Sequence, residues 1–173
     1  NTILFSENSI TLSSEGDFLT DFWTNRIGFN LLIPLQNHVG SNIIVTRETD
    51  VKEEKKFPEF IKPDQPFIKF KNLAYTLDDS FIVNINFEGI LFEMEDQRNW
   101  GDASFKIYSG SLLDPFPYLE KGGTNFSQTV KIDVVNKKER SFPPKNILKI
   151  DHTIPYKFPK IGIKIDSLII PND

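Results

Sequence analysis

Between Val83 and Met94 the apolar residues fall on every second position and then change parity. Val83, Ile85 and Phe87 alternate with Asn84, Asn86 and Glu88, and after Gly89 the apolar set becomes Ile90, Phe92 and Met94. Period two marks a strand with one buried face. A one-residue slip exchanges the two faces, so Gly89 is expected to be a bulge or a crossing between sheets. Val130, Ile132 and Val134 repeat the pattern, as do Ile161, Ile163 and Ile165 near the C-terminus. Weaker strands are expected at 10–12, 31–35, 43–46, 67–71 and 105–108. Helical signal is confined to Asp17, which can cap a turn or two with Phe18 and Phe22 sharing a face.

Composition agrees with this reading. The chain has 21 Ile and 16 Phe but only two Ala, a balance that favours strands over a helical bundle. Its 11 prolines cluster at Pro58, Pro63 and Pro66, at Pro115 and Pro117, and at Pro143 and Pro144, where they predict loops or sheet edges. Gly122 and Gly123 read as a turn, and the charged run 50–56 (DVKEEKK) as a solvated loop. The expected fold is all-β, an antiparallel β-sandwich over residues 1–160 with at most one or two short helices. Residues 161–173 would be a last strand or a lead-in to further chain. Phe18, Phe22, Phe29, Phe87, Phe92 and Phe105 are the core candidates, each contributing ~1.5–3 kcal/mol if fully buried.

With 173 residues and a net charge of −4, and without a basic run, the chain is not expected to bind nucleic acid. No apolar run approaches the ~20 residues of a membrane span, so no membrane association is expected. Zero Cys removes thiol chemistry and Cys-ligated zinc. The start at Asn1, without a basic n-region or an apolar h-region, suggests a cytoplasmic piece of something longer.

The densest polar stretch is 93–108, EMEDQRNWGDASFKIY, which follows a strand. Its candidate ligand-contacting residues are Glu95, Asp96, Gln97, Arg98, Asn99, Trp100, Asp102 and Lys106. Arg98 offers a planar fork for a carboxylate, and Trp100 a plate for a sugar-like ring. Glu95 and Asp96 could act as acid and base if burial separated their pKa values. The competing reading is a structural corner, with Arg98 tied to Glu95 or Asp102 and Trp100 filling the core beneath. The two histidines, His38 and His152, have no second ligand at i+2 or i+4, so no metal is expected. No G-x-S-x-G and no phosphate-binding glycine loop occurs, and neither a cofactor nor a catalytic residue is assigned.

Four segments together resemble the N-terminal part of the D-apionate lactonase family. They are 22–34 (FWTNRIGFNLLIP), 57–67 (FPEFIKPDQPF), 87–108 (FEGILFEMEDQRNWGDASFKIY) and 112–128, with its PFPY and later Gly and Gln. Gly101 stands where the family has Thr, a departure expected to loosen the turn after Trp100. The resemblance implies a β-rich domain whose partner is a missing C-terminal barrel domain of the same chain, with 158–165 as the approach to it. It further implies a carbohydrate or sugar lactone as the ligand of the whole, with the active site in the barrel. The leading expectation is therefore a non-catalytic accessory domain of a carbohydrate-active hydrolase. A free-standing carbohydrate-binding module using Trp100, Trp23 or Tyr108 ranks second. A mutarotase-like sandwich pairing His38 or His152 with Glu95 ranks third.

Overall fold

The computed structural model describes residues 1–78 and 80–136, all within one compact unit, Asn1–Arg140. The expected strand at Ile161–Ile165, the segment 158–165, His152, Pro143 and Pro144 lie outside the described residues. The described chain is all-β and antiparallel. In order its strands are β1 (Thr2–Phe5), β2 (Ser9–Asp17), β3 (Phe22–Thr24), β4 (Asn30–Pro34), β5 (Asn42–Arg47) and β6 (Lys52–Lys56). They continue with β7 (Phe67–Thr76), β8 (Phe81–Glu88), β9 (Phe92–Asp96), β10 (Ser104–Ser109), β11 (Tyr118–Glu120) and β12 (Asn125–Asn136). A short 3-10 turn, Gln97–Trp100, links β9 to β10.

Ten strands form one curled sheet with the order β1-β2-β12-β8-β7-β9-β10-β4, while β5 joins β7 to β6, and β3 and β11 make a separate ribbon. The sheet divides at β7. Asn72 to Tyr75 pair with β8 on one edge and with β5 on the other. Where β8 ends, Phe67 and Phe70 pair with Met94 and Phe92 of β9, after a register shift, while Phe70 also pairs with Arg47 of β5. Lys69, in that shift, has a positive φ of 46°, as in a bulge that bends its strand. Beyond Gly89 the chain stops pairing with β12 and pairs with β10. The parity change thus marks a break between two strands of one sheet, both of which pair with β7, and not a crossing between sheets. Gly89 has φ 95°, and a Cβ there would run into the Ser127 carbonyl.

One apolar core lies inside the curl. Val83, Ile85 and Phe87 point into it from β8, Phe92 and Met94 from β9, and Phe105 and Ile107 from β10. Phe87 meets Phe92 at 4.2 Å between centroids, and Phe57 stacks on Phe105 at 5.2 Å. The Phe expectation holds for Phe87, Phe92 and Phe105. It fails for Phe22, which is exposed, and for Phe18 and Phe29, which are only half-buried. Phe57, Phe67 and Phe70 fill those places, all buried. Ile90 is likewise exposed rather than paired inward with Phe92.

Two local expectations need correction. Asp17 ends β2 rather than capping a helix. Phe18 and Phe22 do touch, at 5.2 Å, but across a bend that Phe18 closes with Thr124 and Gly123. The run 50–56 is a turn followed by strand β6, not a loop. β6 pairs only with β5, and its free edge carries Lys and Glu side chains, the usual protection of an unpaired strand. Among the described residues no helix is long and apolar enough to cross a membrane.

Candidate functional site

The stretch 93–108 lies on β9, the 3-10 turn and β10, and strand alternation sends its side chains to opposite faces. Asp96, on the core side, is completely buried. One of its carboxylate oxygens accepts the Arg98 N–H at 3.1 Å and Arg98 Nε at 2.9 Å. The other accepts Arg98 Nη2 at 2.7 Å and the Lys62 N–H at 3.0 Å. Burial alone would raise the Asp96 pKa, but the hydrogen bonds from Arg98 and Lys62 outweigh it and hold the carboxyl below its ordinary value.

Arg98 spends its remaining donors on the loop 57–66. Nη1 reaches the Glu59 carbonyl at 3.0 Å, and Nη2 reaches those of Pro58 and Phe60 at 3.0 and 3.1 Å. Its guanidinium also lies over the Phe105 ring at 5.4 Å. Asn99 donates to the Lys62 carbonyl at 2.6 Å and to that of Asp96 at 3.1 Å. The proline loop has no ladder to hold it, so these side chains supply its hydrogen bonds. Asp102 accepts from the Ala103 N–H at 2.7 Å and the Ser104 hydroxyl at 2.8 Å, fixing the start of β10. Gly101 closes the 3-10 turn through its N–H to the Arg98 carbonyl at 3.2 Å, in a left-handed conformation with φ 77°.

The outward face is built differently. Glu95 accepts from Gln97 Nε2 at 2.7 Å and from Trp100 Nε1 at 2.9 Å. Trp100 is 75% exposed and does not fill the core. Arg98 is tied to Asp96, not to Glu95 or Asp102. Glu95 and Lys106 line a groove of about 230 Å³ with Arg26, Asn30, Tyr108 and Leu112. Arg26 stands over the Tyr108 ring at 4.9 Å and Lys106 Nζ over the same ring at 5.7 Å. The Tyr108 hydroxyl donates to Glu93 at 2.6 Å, and the same carboxylate oxygen accepts the Leu112 N–H at 2.8 Å. Burial, then this bond to Glu93, pushes the Tyr108 phenol well above its ordinary value.

Glu93 is a fully buried carboxylate, and its second oxygen has no hydrogen-bond partner among the described residues. Sequence reasoning left Glu93 and Arg26 out of the site. Glu93 lies between Phe92 and Met94, on the face shared with Glu95, which in the sequence reads as a solvent-facing position. Arg26 is held in place from behind: Gln128 accepts the Phe29 N–H at 2.7 Å and Ser109 donates to the Ile27 carbonyl at 2.8 Å. Gly28 has φ 136°, and a Cβ there would collide with the Gln128 amide and the Ser109 hydroxyl.

His38 does not belong to this site. It is buried, with Nδ1 at 2.9 Å from the Pro34 carbonyl, and its ring packs edge-on against Phe57 and Tyr75. Burial pushes the Tyr75 phenol up to about 12. Among the described residues no carboxylate is bonded to the imidazole, and Glu95 is held by Gln97 and Trp100, so the pairing of His38 with Glu95 is not formed. Trp23 is exposed on β3, in the separate ribbon with β11, and Tyr108 is buried; among the described residues no ring contact joins either to Trp100.

The four sequence segments thus converge. Residues 57–67 are clamped by Arg98 and Asn99, and residues 25–29 are pinned by Ser109 and Gln128. The sequence profile of the D-apionate lactonase N-terminal domain matches residues 2–137. The chain belongs to this family. It is 32% identical over 129 residues to the D-apionate lactonase of Brucella anthropi, an alignment covering 75% of this chain and 21% of that protein. The chain therefore spans only about a fifth of that relative's length. No solved structure matches it.

Proposed function

We propose that the chain is the non-catalytic N-terminal β-domain of an enzyme that hydrolyses a sugar lactone. Its partner would be a C-terminal barrel domain carrying the catalytic groups, with residues 161–173 leading into it. The observation that carries this reading is how the most distinctive polar residues are used. Asp96, Arg98 and Asn99 are consumed by one another and by the backbone of the loop 57–66. A general acid or base needs a proton in reach of a substrate, and a carboxylate held by a guanidinium and two backbone N–H groups is committed to its ionised form.

The test is lactone hydrolysis by the 173-residue chain, followed by acid release from D-glucono-1,5-lactone and other aldonolactones. The expected rate is that of buffer alone. Turnover that is saturable and lost in Glu95→Gln would overturn the non-catalytic reading. A second reading, sugar binding without chemistry, is favoured by Trp100, an exposed indole fixed in orientation by its bond to Glu95.

A further inference from the structure

The two cations of the groove lack what cations on a protein surface ordinarily find. Six of the described ion pairs join exposed or half-exposed side chains, such as Lys69 with Asp114 at 2.6 Å and Lys121 with Asp21 at 2.8 Å. Arg26 and Lys106 are not among these pairs. Among the described residues neither has a carboxylate within ion-pair distance, and neither side-chain head donates a hydrogen bond to a protein acceptor. The one carboxylate lining the groove, Glu95, is occupied on both oxygens by Gln97 and Trp100.

Both cations instead converge on the same Tyr108 ring. That ring cannot escape them, because its hydroxyl is anchored to the buried Glu93. The result is a shallow groove with two unpaired positive heads, the Asn30 amide on its wall and a fixed indole beside it. An Arg fork and a Lys ammonium together suit a carboxylate. The amide suits hydroxyl groups, and an exposed indole suits the C–H face of a carbon skeleton. At about 230 Å³ the groove is below the 300–1,000 Å³ range of drug-sized sites, so the ligand is small.

We propose that this groove binds the carboxylate of a small polyhydroxylated acid between Arg26 and Lys106, with Trp100 as the plate for its carbon chain. The proposal rests on the groove alone. A chain that hydrolysed lactones would overturn the non-catalytic reading and leave this one standing.

The probe is sodium gluconate, titrated into the 173-residue chain by calorimetry with tryptophan fluorescence in parallel. Saturable binding is expected, weakened at least about tenfold by Arg26→Gln and by Lys106→Gln, since a charge-assisted hydrogen bond contributes on that order. Both side chains lie at the surface, and an unchanged urea midpoint in each variant shows that the fold is intact. Arg26→Lys should recover part of the loss. Three results would overturn the proposal: no saturable binding, equal binding of neutral glucose, or gluconate affinity unchanged in the double glutamine variant. An acidic peptide of four glutamates binding more tightly than gluconate would also overturn it, since the groove would then fit a protein segment.

Discussion

Asp96 and Glu95 are neighbours on one strand and have opposite fates. Asp96 is fully buried and takes four hydrogen bonds, three from Arg98 and one from Lys62. Glu95 faces a groove and holds an exposed indole. The same division runs along the motif. Asp96 and Arg98 brace a loop from the core side, while Glu95, Trp100 and Lys106 stand on the open face. A polar motif is thus not one site. The pleat of the strand sorts it into a half that braces a loop and a half that faces the groove.

The comparison can be broken first at the brace. Arg98→Met keeps much of the side-chain volume but leaves Asp96 as a buried charge without its partner. The expected loss is about 3–5 kcal/mol in urea unfolding, as for a buried ion pair missing one member. A loss below about 1 kcal/mol would mean that the brace is dispensable. On the open face, Trp100→Ala should change the same quantity by less than about 0.5 kcal/mol, because an exposed side chain away from the core contributes little. A large loss there would return Trp100 to the packing role that its residue type first suggested.

How far the sequence could be read follows from the same physics. β8 and β12 were legible because each buries one face, so Val83, Ile85 and Phe87, and Val130 and Ile132, had to alternate. The break at Gly89 was legible from the parity change, but its nature was not, since β8 and β9 stay in one sheet. Glu93 was not, since a carboxylate between two core residues reads as a solvent-facing position until Tyr108 and Leu112 are seen to cover it. β6 was missed because an edge strand needs no apolar face, and its charges resemble those of a loop. The Phe18–Phe22 spacing misled because i, i+4 neighbours also meet across a bend. For Trp100 and Arg98 the segment was right and the partners wrong: residue types name the groups that can pair, and only the backbone path decides which do. The clamp between Arg98 and the loop 57–66 joins positions some 40 residues apart, beyond the reach of local pattern.

The division of the motif is tested most directly by two double-mutant cycles in the same chain, read by urea unfolding. One cycle pairs Asp96→Asn with Arg98→Met, and the other pairs Glu95→Gln with Lys106→Gln. Coupling of at least about 1.5 kcal/mol is predicted between Asp96 and Arg98, and less than about 0.5 kcal/mol between Glu95 and Lys106. Equal couplings, or the larger one at Glu95 and Lys106, would contradict the account.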